Sequence, residues 1–228
     1  VALAGDVNSD GYSDVLVGSP DARGPGCGFF GDRWCDWGRV AGWLGSAGGL
    51  DAGFLNTAEA CAPSWGGPDI YCEFGQSLAT LGDLDGDGYS DFAYGSPGGH
   101  ELSCRAAAGN VAAGQIRIWR GSSSGVSPLL DLVGVDPDSL GRGASLFTAG
   151  DVNGDGLADL VFGEHDPADL DAVGRVVVRL ATPSGYDGEV VVDPGYQSTG
   201  WAVSLAGDVN GDGYSDLIGG APYANGAA

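Results

Sequence analysis

Carboxylate and amide side chains recur in this chain at a fixed spacing that suits the capture of a hard cation. Four segments align without gaps, reading DVNSDGYSD from Asp6, DLDGDGYSD from Asp83, DVNGDGLAD from Asp151 and DVNGDGYSD from Asp208. Positions 1, 3, 5 and 9 are Asp6, Asn8, Asp10 and Asp14 in the first segment and Asp83, Asp85, Asp87 and Asp91 in the second. The third has Asp151, Asn153, Asp155 and Asp159, and the fourth Asp208, Asn210, Asp212 and Asp216. Alternate side-chain oxygens at 1, 3 and 5 converge when the chain wraps an ion, and glycine at position 6 permits the sharp reversal. The main-chain carbonyl at position 7 (Tyr12, Tyr89, Leu157 and Tyr214) adds a ligand, and position 9 closes the shell. Oxygen donors in that number suit calcium better than zinc or copper, so the spacing predicts four calcium sites.

Two other readings of the same pattern are weaker. The first nine positions match an EF-hand loop, but that loop needs a glutamate at position 12, where this chain has Val17, Tyr94, Phe162 and Gly219. An EF-hand also needs flanking helices, and the flanks here are strand-like. Ordinary Asp-Gly hairpin turns need no metal. Yet the four segments hold 13 of the 31 acidic residues, a crowding of like charge that a cation relieves.

The elements that must position these loops repeat with them. A short small-and-apolar run precedes each loop: VALAG, FGQSLATLG, GASLFTAG and GWAVSLAG. A β-prone run ending near glycine follows: VLVGSP from Val15, FAYGSP from Phe92, LVFGEHD from Leu160 and LIGGAP from Leu217. Strand, acidic loop and strand make a hairpin. A third run comes later as GRVAGWLG from Gly38, GQIRIWRG from Gly114 and GRVVVRLA from Gly174, with Val or Ile at alternate positions in the last two. A weaker fourth run lies near residues 50–57, 129–133 and 189–192. The loop starts are 77, 68 and 57 residues apart, about one propeller blade each. The expected fold is all-β, in propeller blades of four antiparallel strands: residues 1–60, 61–135 and 136–195, with 196–228 as the first half of a fourth blade. No stretch has the 3.6-residue apolar period of an amphipathic helix.

Phe74-Gly75, the loop 83–91 and Gly95-Ser96-Pro97 together resemble the FG-GAP repeats of integrin α-subunit propellers and their bacterial relatives, and Gly220-Ala221-Pro222 matches the second half of that motif. The resemblance covers nearly the whole chain. It implies a calcium loop joining the first two strands of each blade and a ring of roughly seven blades, of which about three and a half are here. Such a ring does not close by itself, so either a longer polypeptide or neighbouring copies complete it. The chain departs from the pattern at Arg142 and Thr199, which replace the Phe, and at Glu164-His165, which replaces the Ala-Pro pair.

Composition narrows the function. Glycine supplies 44 of 228 residues, about 19% against a usual share of roughly 7%, which marks a turn-dense chain. The formal charge of -22 repels nucleic-acid phosphates and anionic membrane, and no run approaches the roughly 18 apolar residues of a membrane span. Five cysteines lie in Gly-, Pro- and Asp-rich loops, where disulfides are favoured over buried thiols. Proximity pairs Cys27 with Cys35 and Cys61 with Cys72, leaves Cys104 over, and indicates an extracellular setting.

No catalytic constellation emerges. Neither His100 nor His165 has a neighbouring Cys or His at metal-ligand spacing, and both read as loop residues. The run Gly121-Ser122-Ser123-Ser124-Gly125 fits a G-x-S-x-G pattern but stands where the first unit has Gly45-Ser46-Ala47-Gly48, and so reads as a repeat turn. The glycines at 24, 26 and 28 lack the strand-to-helix setting of a dinucleotide site. An aromatic insertion, FFGDRWCDW from Phe29, either covers its own blade edge or offers rings to a partner. The expected function is non-enzymatic: a secreted or cell-surface calcium-binding module for an extracellular protein or glycan. A structural subunit of an extracellular assembly and a non-catalytic domain of a larger secreted enzyme are the alternatives.

Overall fold

A computed structural model describes residues 1–22, 38–57, 73–97, 114–133, 141–165, 171, 173–182, 184–192 and 194–224. The five cysteines, His100, the aromatic insertion and the glycines at 24, 26 and 28 lie outside the described residues.

Among the described residues fourteen strands build four antiparallel sheets by simple meander. The first sheet is β1 (Ala2–Gly5), β2 (Asp14–Ser19), β3 (Arg39–Ser46) and β4 (Gly49–Thr57). The second is β5 (Ser77–Gly82), β6 (Asp91–Ser96), β7 (Gln115–Arg120) and β8 (Ser127–Val133). The third is β9 (Ser145–Gly150), β10 (Asp159–Glu164), β11 (Arg175–Thr182) and β12 (Gly185–Val192). β13 (Ala202–Gly207) and β14 (Asp216–Gly220) form the last. Among the described residues there is no helix. Three four-stranded blades and a two-stranded one are the architecture that the repeats predict. The fourth strands begin earlier than the apolar runs suggest, because their first halves are polar or glycine-rich.

Successive sheets pack face to face, and the period of two in each strand divides its side chains between two interfaces. In β6, Phe92 and Tyr94 point toward the first sheet, joining Ala4, Leu16, Val40 and Leu55, while Ala93 points toward the third. In β10, Leu160 and Phe162 meet Ile116 and Ile118 of β7, while Val161 turns to Val203 of the fourth sheet. Every residue of β6 and β10 is therefore buried, whereas β2, which among the described residues has a neighbouring sheet on one side only, alternates between buried and half-buried over Asp14–Val17 and ends exposed at Ser19. Each fully buried large apolar side chain contributes about 1.5–3 kcal/mol.

Glycines set how closely the blades approach. A Cβ on Gly95 would lie 2.1 Å from the carbonyl oxygen of Gly143 in the next blade, and Gly18 against Gly75 and Gly163 against Gly200 repeat the clash. The second glycine of each pair has positive φ (81°, 80° and 83° at Gly75, Gly143 and Gly200), a conformation that favours glycine. Ser77 and Ser145 cap two of these junctions by donating their Oγ–H groups to the carbonyls of Gly143 (2.6 Å) and Gly200 (2.7 Å).

The two departures from the repeat compensate each other at the third blade. Where Phe74 meets Tyr94 edge-on at 6.4 Å, Arg142 instead places its guanidinium 5.0 Å from the centre of the Phe162 ring. That buried cation reaches Glu164 at 2.7 Å, and Arg175 pairs with the other oxygen of the same carboxylate. Burial pushes the Glu164 carboxyl above its ordinary pKa, while both arginines pull it down. The substituted pair is thus one unit of local packing.

Candidate metal centre

All four acidic segments lie where the spacing puts them, between the first and second strand of each sheet: β1–β2, β5–β6, β9–β10 and β13–β14. Their backbone is organised around the carboxylate at position 1. Asp83 accepts from the N–H of Asp87 (2.9 Å) through Oδ1 and from that of Gly88 (2.9 Å) through Oδ2. Asp6, Asp151 and Asp208 accept the corresponding pairs of bonds, at 2.8–3.1 Å. At position 5, Asp10, Asp87, Asp155 and Asp212 accept from the N–H of position 7, that of Tyr12, Tyr89, Leu157 and Tyr214. The amides at position 3, Asn8, Asn153 and Asn210, each bridge to the position 5 carboxylate at 2.9 Å. Hydrogen bonds to these carboxylates stabilise their charged forms, and those from Gly156 first among several causes hold Asp151 below its usual pKa.

Position 9 has a second role that the spacing does not reveal. Asp91 is fully buried; its Oδ2 accepts from the N–H of Leu84 at 2.8 Å and its Oδ1 from that of Gly121, beyond the end of β7, at 3.0 Å. Asp14 ties Val7 to Gly45 at 2.8 and 2.7 Å, and Asp159 ties Val152 to Ala181 at 2.8 and 2.8 Å. Each carboxylate thus fastens the acidic loop to the third strand of its own blade. Burial raises the pKa of all three against the pull of these bonds, that of Asp91 to about 6. Among the described residues Asp216 keeps only the bond from the Val209 N–H, at 2.7 Å.

One oxygen each from Asp83, Asp85 and Asp91 lies within 4.8 Å of the others, and Asp85 Oδ1 is buried without a hydrogen-bond partner. Three convergent carboxylates and an unsatisfied buried oxygen fit a hard, oxygen-preferring cation. The loops also touch one another: the Ser90 N–H donates to the Asp6 carbonyl at 2.9 Å, and the Ser215 N–H to the Asp151 carbonyl at 3.1 Å.

The other candidates resolve into structure. Residues 121–125 are the turn between β7 and β8, closed by the Ser122 hydroxyl donating to the Gly125 carbonyl at 2.7 Å, with no strand-to-helix elbow. His165 directly follows β10 and is buried, its ring 4.9 Å from that of Trp201. Sequence reasoning missed Gly45, Gly121 and Ala181 as anchors of position 9. It also missed Arg120, whose Nη1 lies 3.4 Å from Asp85 Oδ2. The signal available for Arg120 was that both residues depart from the repeat together.

Known proteins with the same pattern are consistent with this geometry. The FG-GAP repeat model matches residues 1–29, 74–119 and 199–228. Integrin alpha pat-2 of Caenorhabditis elegans is 35% identical over 66% of this chain, and integrin alpha-IIb of Mus musculus is 32% identical over 78%. The chain spans 13% and 16% of the lengths of those two relatives. A rhamnogalacturonan lyase structure, YesW, superposes on 96% of this chain and 39% of its own with a TM-score of 0.47 at 15% identity, too loose a likeness to bear on function. Repeated sheets, loops and inter-blade glycines, together with these similarities, make the chain a member of the FG-GAP repeat family of the integrin-α type.

Proposed function

We propose that the chain is a calcium-binding propeller module that presents its loops to an extracellular protein or glycan in adhesion at the cell surface or matrix. The convergence of Asp83, Asp85 and Asp91 within 4.8 Å is the observation that carries the calcium part. The same spacing of oxygen side chains in loops 1, 3 and 4, with Asn in place of Asp at position 3, extends it to four sites. The adhesive part rests on similarity to integrin α chains. Calcium in the loops stiffens the hairpins and, through the position 9 carboxylates, the third strands as well. A secreted or cell-surface location follows from the same similarity. No described helix is long and apolar enough to cross a membrane.

Immobilised protein should capture cells in calcium and release them in chelator, with a melting transition that falls on chelation. Capture that is absent in calcium, from protein shown to be folded and calcium-loaded, would overturn the adhesive reading and leave the binding of metal intact.

A further inference from the structure

The second loop differs from the other three in charge. Its position 3 is Asp85 where the others have Asn8, Asn153 and Asn210, so it gathers four carboxylates instead of three. The end of β7 differs in the same blade. Register places Trp43, Trp119 and Arg179 at matching points of the third strands, opposite Val15, Phe92 and Leu160. The next residue is Leu44 in the first blade, Leu180 in the third and Arg120 in the second. Both leucines pack against the apolar cores, whereas Arg120 turns its guanidinium to Asp85 Oδ2 at 3.4 Å. The other oxygen, Asp85 Oδ1, is buried without a hydrogen-bond partner beside Asp83 and Asp91.

We propose that Arg120 is a built-in competitor of the cation at the second loop, an affinity-setting residue that offsets the extra charge of Asp85 when no metal is bound. The proposal rests on the calcium reading of that loop. A fourth carboxylate tightens the hold on a divalent ion but crowds the metal-free loop with like charge. A guanidinium beside that carboxylate relieves the crowding and repels the incoming ion. The loop therefore stays ordered without metal and takes up calcium at a higher concentration than its carboxylates alone would set. The Arg120 side chain is 42% exposed, so salt screens the effect.

The test is a calcium titration of the full chain followed at the amide resonances of the position 6 glycines. The Gly88 N–H donates to Asp83 Oδ2 and reports the second loop alone, while Gly11, Gly156 and Gly213 report the others. Arg120→Leu, which installs the residue of blades one and three, should lower the calcium midpoint at Gly88 by about three- to tenfold at low salt, with the other glycines unmoved. Arg120→Gln keeps the stem without the charge and should act alike if the leucine variant folds poorly. In an Asp85→Asn background, Arg120→Leu should change the midpoint less than about twofold, because the guanidinium is no longer held at the loop. An unchanged or raised midpoint at Gly88 in both Arg120 variants, with calcium still binding, overturns the proposal. A Gly88 resonance that ignores calcium in the unaltered protein overturns the calcium reading itself, and the proposal with it.

Discussion

The second and fourth acidic loops are nearly the same sequence, DLDGDGYSD and DVNGDGYSD, yet their last aspartates have different environments. Asp91 is fully buried and bonds both its own loop and the backbone beyond β7. Asp216 is half-exposed and bonds only its own loop, because the fourth sheet has just two strands among the described residues. The ligand pattern is thus a local property, while the fastening of the loop to the blade is supplied by a third strand. On the proposed calcium reading a position 9 aspartate combines two tasks, one toward the cation and one toward the fold, and the two loops separate them.

The largest expected effect breaks that comparison directly. In metal-free protein Asp91→Ala should destabilise by about 3–4 kcal/mol, since it strands two buried N–H groups, whereas Asp216→Ala should cost about 1 kcal/mol or less. Urea denaturation of the two variants gives the difference, and equal losses would show that the third-strand anchor adds nothing. Gly95→Ala should rival Asp91→Ala, because its Cβ would stand 2.1 Å from a backbone oxygen of the neighbouring blade. A loss of about 3 kcal/mol or more in the same assay is the expected result.

A pH series sharpens the comparison. Asp91 in the folded, metal-free chain has its pKa raised to about 6, above its unfolded value of about 3.9. The folded state therefore binds the proton more tightly, so this contribution is fully present below about pH 4 and is lost as pH rises through about 6. Melting of the chelated protein should fall across that window, with Asp91 contributing the equivalent of about 2 kcal/mol beside smaller losses from the other raised carboxyls Asp14, Asp159 and Glu164, and the fall should be smaller by that amount in Asp91→Ala. A chelated protein whose melting rises steadily from pH 4 to 7 would contradict the burial described here.

A paired substitution tests the third blade. Glu164→Gln alone should cost about 2–3 kcal/mol by removing the counter-charge nearest to buried Arg142, which keeps only its 3.4 Å contact with Glu189. Arg142→Phe combined with Glu164→Ser, which restores the residues of the second blade, should be neutral within about 1 kcal/mol. Thermal melts of the single and double variants decide whether the two departures are one unit.

Much of this architecture was legible beforehand because its determinants are local. Glycines, alternating Val and Ile, and the acidic spacing act within one hairpin, so the strand order and the loop positions followed from short segments. What escaped notice acts over long separations. Asp91 reaches Gly121 and Asp85 reaches Arg120 only once β7 lies beside β6, and Arg142 meets Glu164 only across β9 and β10. Even so, the repeat carried a trace of the ionic contacts. Asp85 and Arg120 depart from the pattern in one blade, and Arg142 and Glu164 in another, so paired exceptions within a repeat mark residues in contact. The anchor at position 9 left no such trace, because its partners are backbone N–H groups common to every residue type except proline.

Counting bound calcium is the most direct test of the central claim. Chelator-stripped protein, titrated with calcium and weighed under native conditions, should take up four ions, and its melting temperature should rise by more than about 10 °C at saturating metal. Protein that binds no calcium and melts alike with and without it would contradict the account.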